Sequence, residues 1–460
     1  MAYEGSTAAI LSNYDEVLKT FYLPAIQEQL NNDTILADII DTNETDVSGK
    51  DAKIECHYGR TKGTGARADG GALPEADYQK FKMVTVPMRY NYGRVTFSGP
   101  TIAATRDEKG AYARVITTEI EGVVTDLQKE INRQLWGCGY GVLARWATGD
   151  TSSITLNKLY TGNAIGGDGF GSTFGAKYFE ENAGGTPAYP TGTSSITAIT
   201  VDDTDINVTV IDSTSSALID TITCTEAIGV TEVAGTYYVR LGSARSATSV
   251  TAAGFSRLEM MGLRGICTNT DLDEIALYND ETTRLATPND PFQSLAVSGN
   301  AWWKSIIDAH SSGRYAGQRA LTLNLMQTMF DKVELKAGKD YGPDLILTTH
   351  AIRREYLEIM QADRRNVNTM ELDGGWTALD YNGVPLMVDP DAIDGEIYFL
   401  TSKDLSIYRM SDYDWMTKDG AVLSRISGYD AYEAVLFRYA EFGCRRRNSQ
   451  GVLCDIDYTK

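Results

Sequence analysis

At 460 residues, with 42% hydrophobic and 23% charged residues, the chain has the composition of a folded protein with more than one domain. Its 42 basic and 62 acidic residues give a net charge of −20, which argues against a protein that binds nucleic acid mainly through a basic surface. The first residues lack the basic start and apolar run of a secretory signal, and no stretch approaches the roughly 20 apolar residues of a membrane span. Six scattered cysteines without a CxxC pair indicate reduced thiols, not a zinc ribbon or a disulfide framework.

Two segments near the start of the chain are predicted to have little surface of their own to pack against. Residues 1–46 carry apolar residues at helical spacing and are predicted to form an N-terminal arm. Residues 47–98 are predicted to form a long hairpin, with strands at 53–60 and 78–99 that are polar on both faces and a glycine-rich tip at 63–77. Because a two-stranded ribbon is marginally stable alone, both segments are expected to lie on another molecule.

Residues 102–144 carry the strongest helical pattern of the sequence. Apolar residues recur every three or four positions from Tyr112 to Leu135, and glycines from Gly137 onward predict the end of the helix. About 35 helical residues would form a rod of about 50 Å, which is long for an ordinary globular core. The pattern therefore indicates a structural strut.

Residues 149–256 differ sharply in composition from what precedes them. They are rich in Thr, Ser, Gly and Ala, and no Lys, Arg or His occurs between Lys177 and Arg240. The segments 194–212 and 235–242 have the residue content of strands. We predict an inserted, all-β module.

The remainder of the chain predicts an α+β domain that ends in sheet. The predicted elements are a short helix over 302–307, helices over 322–338 and 350–361, a buried strand over 344–349, and runs of strands over 382–416 and 431–457. No cluster of catalytic side chains accompanies these strands. A chain that ends this way is typical of a component of a larger assembly.

Motifs that would support catalysis or cofactor binding are weak. Three histidines occur in the chain, His57, His310 and His350, and none belongs to a Ser-His-Asp or Cys-His-Asn pattern. The glycine-rich run at 166–175 fails the GxGxxG spacing, because Ser172 stands where the third glycine is required. Asp202, Asp203 and Asp205 lack the glycine and glutamate of an EF-hand loop. We predict no enzymatic activity, no cofactor and no metal site.

Charged side chains of the hairpin tip and of the arginine runs are the candidate contact residues. They are Lys62, Arg67 and Asp69 in the tip, and Arg353, Arg354, Arg364, Arg365, Arg445, Arg446 and Arg447 in the later part of the chain. Two interpretations of the arginines remain open. They contact the phosphates of a nucleic acid, or they pair with carboxylates at contacts between subunits, which we favour because carboxylates are abundant.

The order of the predicted elements resembles a known family. The residues that carry the resemblance are DLILTTHAIRREYLEIMQADRR (344–365), GGWTALDYNGVPLMVDPDA (374–392), IYFLTSKDLSIYRMSDYDWM (397–416), DAYEAVLFRYAEFGCRRRN (430–448) and the re-entry sequence EMMGLRGI (259–266). These segments resemble the major capsid proteins of tailed bacteriophages with the HK97 fold. The resemblance covers most of the chain outside 149–256.

The resemblance implies an α+β, HK97-like capsid fold with an all-β insertion domain. The implied division is an N-terminal arm (1–46), an E-loop hairpin (47–98), a P-domain with the spine helix (99–148), the insertion domain (149–256), more P-domain (257–321), an A-domain (322–429) and P-domain return strands (430–460). The hairpin of such a protein lies across a neighbouring subunit.

The resemblance also implies a function and partners. The chain would self-assemble as hexamers and pentamers into an icosahedral shell around the double-stranded DNA genome of a tailed phage, in the virion, after assembly in the host cytoplasm. Because the arm begins almost at Met1, a separate scaffolding protein is implied. A portal, decoration proteins and packaged DNA that is contacted non-specifically are further implied partners, and no membrane is expected. Some relatives form a Lys–Asn crosslink, but no acceptor Asn or catalytic Glu can be matched here.

Other functions remain open at this stage. An encapsulin-like compartment shares the fold and houses protein cargo, so nucleic acid in purified particles distinguishes it from a capsid. A β-rich surface protein for adhesion or carbohydrate binding would use the module at 149–256 as its binding domain, although a signal peptide is missing. An enzyme is a third alternative that the lack of convergent polar residues disfavours.

Overall fold

The structure is a computed structural model of the chain. It describes residues 34–44, 47–99, 109–139, 142–150, 153–157, 196–199, 204–206, 208–212, 219–224, 237–240, 244–245, 256–268, 292–297, 299–310, 319–362, 369–371, 377–393, 395–417, 422 and 424–457. All of these residues belong to one compact unit, which spans Asp33–Lys460.

Five α-helices occur in the described residues. They are α1 (Ile35–Ile39), α2 (Lys109–Trp136), α3 (Leu263–Ile266), α4 (Leu323–Ala337) and α5 (His350–Ala362). The predicted strut is confirmed as α2, whose 28 residues extend over about 42 Å and end directly before Gly137. Helix α4 begins where the Thr322 side chain accepts a hydrogen bond from the Leu325 N–H, and ends at the predicted Gly338, where φ is 92°.

Strands are the most abundant secondary structure in the part of the chain that the structure describes. In chain order they are β1 (Thr42–Asn43), β2 (Val47–Ser48), β3 (Asp51–Gly59), β4 (Lys80–Pro87), β5 (Arg89–Ser98), β6 (Val142–Asp150), β7 (Ser153–Asn157), β8 (Ile196–Ile199), β9 (Thr204–Ile206), β10 (Val208–Asp212), β11 (Ile219–Cys224), β12 (Tyr237–Arg240), β13 (Ala244–Arg245), β14 (Ser256–Arg257), β15 (Ile306–Asp308), β16 (Leu345–Thr348), β17 (Thr369–Glu371), β18 (Thr377–Tyr381), β19 (Val384–Val388), β20 (Ile397–Leu400), β21 (Leu405–Trp415), β22 (Ser424–Arg425), β23 (Ala431–Cys444) and β24 (Gly451–Leu453).

A mixed central sheet has the strand order β15-β24-β20-β16-β19-β18-β17. Its middle strands β16 and β20 are buried along their whole length, which explains their continuous apolar sequences LILT and IYFL. Strands β18 and β19 form a hairpin through Asn382 and Gly383, both with positive φ, as an Asn-Gly turn requires.

Helices cover both faces of the central sheet. On one face, Met326 and Phe330 of α4 and Tyr356 of α5 pack with Phe399 of β20 in one apolar cluster. On the other face, the end of α2 packs against the sheet, with the rings of Trp136 and Tyr398 5.4 Å apart in an edge-to-face arrangement. The strut therefore ends in the core of the subunit.

A second, long sheet has the order β1-β21-β23-β22, with β5 also paired to β23. The prediction of a single return strand over 78–99 is wrong in this region, because β4 pairs with β3 in the hairpin while β5 pairs with β23 along ten residues. The strands divide at Pro87, which has no N–H to continue a ladder. The inner face of β5 lies against α2, where a Cβ at Gly93 would come within 2.7 Å of the Val123 side chain.

The hairpin belongs to a three-stranded sheet with the order β2-β3-β4. The expectation that its strands are polar on both faces is wrong at the base, where Ala52, Val86 and Met88 are buried with Tyr408 of β21. The hairpin also packs on the body beyond its base, because Cys56 and Val84 belong to the main core and the Tyr58 ring stacks on Trp302 at 5.1 Å. The tip between the two strands is the exposed part of the hairpin.

The predicted helix over 302–307 is wrong. Residues Ala301–Trp303 form one 3-10 turn, and Ile306–Asp308 form β15, which pairs in parallel with β24 near the end of the chain. The apolar run Trp302, Trp303, Ile306, Ile307 fits either element by spacing, and its partner strand lies too far along the sequence to be inferred from a local pattern.

All elements described between residues 142 and 245 are strands, which confirms the predicted β content for the described part of this region. Seven of them form a sheet with the order β10-β11-β7-β6-β12-β8-β9. In the body, the central sheet includes β15 and β24, and the long sheet includes β21, so pairing crosses the predicted boundaries at 321/322 and 429/430. The division into named domains stays a prediction.

Candidate subunit-contact surfaces

The hairpin tip carries its candidate residues on the surface, since Lys62, Arg67 and Asp69 are all exposed. The two ends of the tip are joined where the Lys62 N–H donates to the Asp77 carboxylate at 3.1 Å. Hydrogen bonds from the backbone N–H groups of Tyr78 and Lys62 lower the pKa of Asp77. The tip is thus an ordered, charged loop that keeps its side chains free to contact another molecule.

Large apolar side chains are exposed along the same hairpin. Leu73 is 86% exposed, Tyr78 74%, Phe81 62% and Met83 53%. Single exposed apolar residues are common on protein surfaces, but several on one projecting element are typical of an interaction surface. The hairpin therefore offers apolar as well as charged contacts.

An aromatic patch lies on the outer face of the long sheet. Its members are Tyr90 and Tyr92 of β5 and Phe437 and Tyr439 of β23, which stand opposite each other in the register Tyr92↔Phe437 and Tyr90↔Tyr439. The ring centroids of Tyr90 and Tyr439 are 5.1 Å apart, and those of Phe437 and Tyr439 are 4.8 Å apart. A hydrogen bond with Tyr439, together with burial, raises the pKa of Tyr92 to about 12.

Sequence reasoning missed this aromatic patch. The alternation of aromatic residues in YNYGR (90–94) and FRYAEF (437–442) predicts that each strand has an aromatic face. The pairing of β5 with β23 brings the two faces together, and no local pattern shows that pairing.

The structure describes the first of the two arginine pairs, Arg353–Arg354, but not the second, Arg364–Arg365. Arg354 is exposed on α5 and Arg353 is half-buried, so Arg354 is free to contact a second molecule. Arg364 and Arg365 lie outside the described residues. Their predicted contacts stay predictions.

Arg445 and Arg446 lie at the surface near the hairpin base. The Arg445 Nε–H donates to the Tyr408 hydroxyl at 3.1 Å. The Arg446 guanidinium stacks on the Tyr341 ring, 3.6 Å from its centroid, and donates to the Ala337 carbonyl at 3.2 Å. These contacts orient both guanidinium groups within the subunit.

The predicted contact role of Arg447 is wrong. This side chain is fully buried and donates to the backbone carbonyls of Ile266, Trp303 and Gly265 at 2.9, 3.3 and 3.2 Å. Its guanidinium also lies 4.9 Å from the centroid of the Phe292 ring. Arg447 therefore joins segments inside one subunit and cannot reach another.

A buried acidic junction connects the strut, the first helix and the loop after β19. Asp389 accepts hydrogen bonds from the Leu36 N–H at 2.9 Å and from the Asn132 side-chain amide at 3.3 Å. Asn132 also donates to Asp391 at 2.6 Å, and Lys129 forms an ion pair with Asp391 at 3.4 Å. Burial, and then the neighbouring Asp391 carboxylate, raise the pKa of Asp389 to about 6.

The raised pKa of Asp389 predicts a pH dependence of stability. The carboxyl has a reference pKa of 3.8 and a folded-state pKa of about 6, so the folded state binds the proton more tightly. The resulting stabilisation is complete below the unfolded pKa and is lost as pH rises through about 6, by at most about 3 kcal/mol. We expect urea unfolding of the isolated subunit to show a free energy of unfolding that falls from pH 4 to pH 7.

The Asp389→Asn variant should flatten this pH profile, because the amide does not titrate and its carbonyl still accepts from the Leu36 N–H. Glu358→Gln, at an exposed position on α5, is the matched control and should leave the profile unchanged. Equal pH profiles for Asp389→Asn and the unmodified chain would show that Asp389 does not titrate in this range.

Histidine and cysteine side chains are the residue types most often found in catalytic and metal sites. His57 is exposed and lies 2.8 Å from the Gln79 side-chain oxygen, within the hairpin. Cys56, Cys138, Cys267, Cys444 and Cys454 are buried free thiols. The part of the chain that the structure describes contains no group of three or more His, Cys, Asp or Glu side chains able to hold a metal ion. Among the helices described, none has the length and apolar character needed to cross a bilayer.

Comparison with solved structures identifies the fold. The capsid protein of cyanophage A-1(L) is similar over 97% of this chain and 99% of its own, with a TM-score of 0.52 and 13% sequence identity. The chain has the HK97-like capsid fold. The α+β, HK97-like architecture predicted from the sequence is confirmed.

Two further similarities to HK97-like shells are weaker. The capsid protein of a native GTA particle is 9% identical over 98% of this chain and all of that chain, with a TM-score of 0.46. The SrpI encapsulin of Synechococcus elongatus is 7% identical over 98% of this chain and 97% of that chain, with a TM-score of 0.45. No protein-family model and no curated protein sequence matches the chain.

Proposed function

We propose that this protein is the major capsid protein of a tailed phage, which self-assembles as hexamers and pentamers into an icosahedral shell around double-stranded DNA. The observation that carries the proposal is the HK97-like fold along nearly the whole length of a phage capsid protein. The projecting hairpin supports it, because its exposed apolar and charged side chains have no evident use in an isolated subunit.

The proposed assembly uses rigid and projecting parts for different purposes. Helix α2 and the two body sheets share a continuous core, so they act as one rigid block. The hairpin packs on that block along β3, a nine-residue strand of about 30 Å, and carries the exposed tip at its far end. Small changes in the direction of the tip would allow one fold to occupy both hexamers and pentamers.

The hairpin and the aromatic patch are the proposed complementary contacts between neighbours. Exposed Leu73, Tyr78 and Phe81 of one subunit would pack on Tyr92 and its aromatic neighbours in the next. Packing of apolar and aromatic side chains from both partners is the usual energetic centre of an interface. The charged tip residues would then form the rim.

Other partners are proposals from the function. A portal and a separate scaffolding protein would act during assembly in the host cytoplasm, and decoration proteins would bind the finished virion. The net charge of −20 predicts that packaged DNA is contacted weakly and without sequence preference. Exposed arginines such as Arg354 would supply these contacts.

Electron microscopy of the purified protein tests the proposed function. We expect closed shells, hexamers or pentamers in negative stain, together with large species in sedimentation velocity. Monomers alone at high protein concentration would overturn the proposal. Nuclease-protected DNA in particles isolated from cells would support a capsid, whereas particles filled with a protein and free of nucleic acid would support the encapsulin-like alternative.

A further inference from the structure

Strand β3 has an open edge. It pairs with β4 along its length but with β2 only at Asp51 and Ala52. Within the described part of the chain, no backbone–backbone hydrogen bond occupies that edge between Lys53 and Gly59. Asp51 pairs with Ser48 across a two-residue turn, and backbone groups of a strand alternate between its edges. Lys53, Glu55 and His57 therefore direct their N–H and C=O groups toward the open edge.

The open edge faces a cleft of about 800 Å3, and every residue from Lys53 to Arg60 lines it. The opposite wall includes Arg445, Arg446, Lys336 and Trp302. An exposed strand edge is a template for pairing with another chain, and proteins normally cover or block such edges. Here the strand that carries the open edge lines a recess.

The cleft is basic although the chain is acidic. Apart from the fully buried Arg447, five Lys or Arg side chains and two acidic side chains line it, whereas the whole chain has 42 basic and 62 acidic residues. Stacking on Tyr341, a hydrogen bond to the Ala337 carbonyl and an ion pair with the Asp404 carboxylate at 3.8 Å hold the Arg446 guanidinium in position. The N–H donors of this oriented guanidinium that these partners leave over are suited to bind a further carboxylate.

We propose that the open edge of β3 binds an extended acidic peptide of another protein as an added strand. The peptide backbone would pair with Lys53–Gly59, and its inward-facing Asp or Glu side chains would pair with Arg445 and Arg446. A peptide fits better than a nucleic acid, because a strand edge presents alternating donors and acceptors while a phosphate backbone presents only acceptors. The proposal does not depend on shell formation.

Peptide binding to the unassembled full chain tests the pairing. The probe is a fluorescent seven-residue peptide of alternating Glu and Val, matched to Lys53–Gly59, and its binding is followed by anisotropy. N-methylation of the residues that face β3 should abolish binding, whereas N-methylation of the other residues should have little effect. Similar affinities for the two methylated peptides, or no saturable binding of the parent peptide, would overturn the proposal.

The charge of the cleft is tested separately. Arg446→Glu should weaken binding of the Glu peptide by about tenfold or more, and a Lys/Val peptide should bind the unmodified chain at least tenfold less tightly. Arg354→Glu, an exposed arginine on α5, is the matched control and should bind the Glu peptide normally. Equal binding by Arg446→Glu, or binding of a single-stranded DNA oligonucleotide in preference to the Glu peptide, would contradict the proposed occupant.

Discussion

Deletion of residues 63–77 is expected to abolish shell assembly and to leave the subunit folded. The deletion removes the exposed tip with Arg67, Asp69 and Leu73, but it keeps β3, β4 and the buried base of the hairpin. Arg60, Thr61, Lys62, Tyr78 and Gln79 then connect Gly59 to Lys80, and a five-residue connection is within the range of hairpin loops. Negative-stain images should show no closed shells.

Thermal unfolding separates an assembly defect from a folding defect. We expect the midpoint of the deletion variant, measured on unassembled protein, to change by no more than about 2 °C, because surface changes away from the core usually alter stability by less than about 0.5 kcal/mol. A second variant replaces the same 15 residues with a Gly/Ser linker, and it should also fail to assemble if tip chemistry matters. Normal shells from the deletion variant would refute the contact role of the tip.

The elements that sequence reasoning predicted well are those whose evidence is local. Helix α4 has a capping threonine, apolar residues at helical spacing and a final glycine, all visible in the sequence around Thr322 and Gly338. Strand β16 is a short apolar run, and its complete burial follows from that pattern. The order of such elements was enough to predict the HK97-like fold.

The elements that sequence reasoning missed depend on pairing between segments that lie far apart in the sequence. Strand β15 forms because Ile306 and its neighbours pair with β24, and β5 leaves the hairpin because β23 offers it a ten-residue ladder. The aromatic patch and the basic cleft arise from the same long-range pairing. The sequence of a strand does not show which other strand it pairs with, so neither surface could be predicted.

Arg447 illustrates the same limit for a single side chain. Three consecutive arginines predict a basic surface, and Arg445 and Arg446 do lie near the surface. Arg447 turns inward because the segment around α3 and the 3-10 turn Ala301–Trp303 bring three backbone carbonyls to one point. The sequence shows three positive charges, but it does not show the backbone carbonyls that accept hydrogen bonds from Arg447.

Replacement of Arg447 by alanine is expected to destabilise the isolated subunit by about 3–5 kcal/mol. The substitution removes the Arg447 donor from the carbonyls of Gly265 and Trp303, leaves Ile266 with the Thr268 N–H alone, and opens a void beside Phe292 in a region closed to water. Charge-assisted hydrogen bonds contribute more than neutral ones, and buried acceptors that lose their partner carry a desolvation penalty. Urea unfolding followed by tryptophan fluorescence measures the change, since Trp303 lies at the site.

Two further variants decide whether the buried hydrogen bonds cause the loss of stability. Arg354→Ala removes an exposed arginine and should change the free energy of unfolding by less than about 0.5 kcal/mol. Arg447→Lys keeps the positive charge but lacks the planar guanidinium that reaches three carbonyls. We therefore expect it to restore only part of the free energy of unfolding that Arg447→Ala loses. If Arg447→Ala were as stable as Arg354→Ala, the joining role of Arg447 would be wrong. If Arg447→Lys were fully stable, the buried charge alone, without the fork geometry, would hold these segments together.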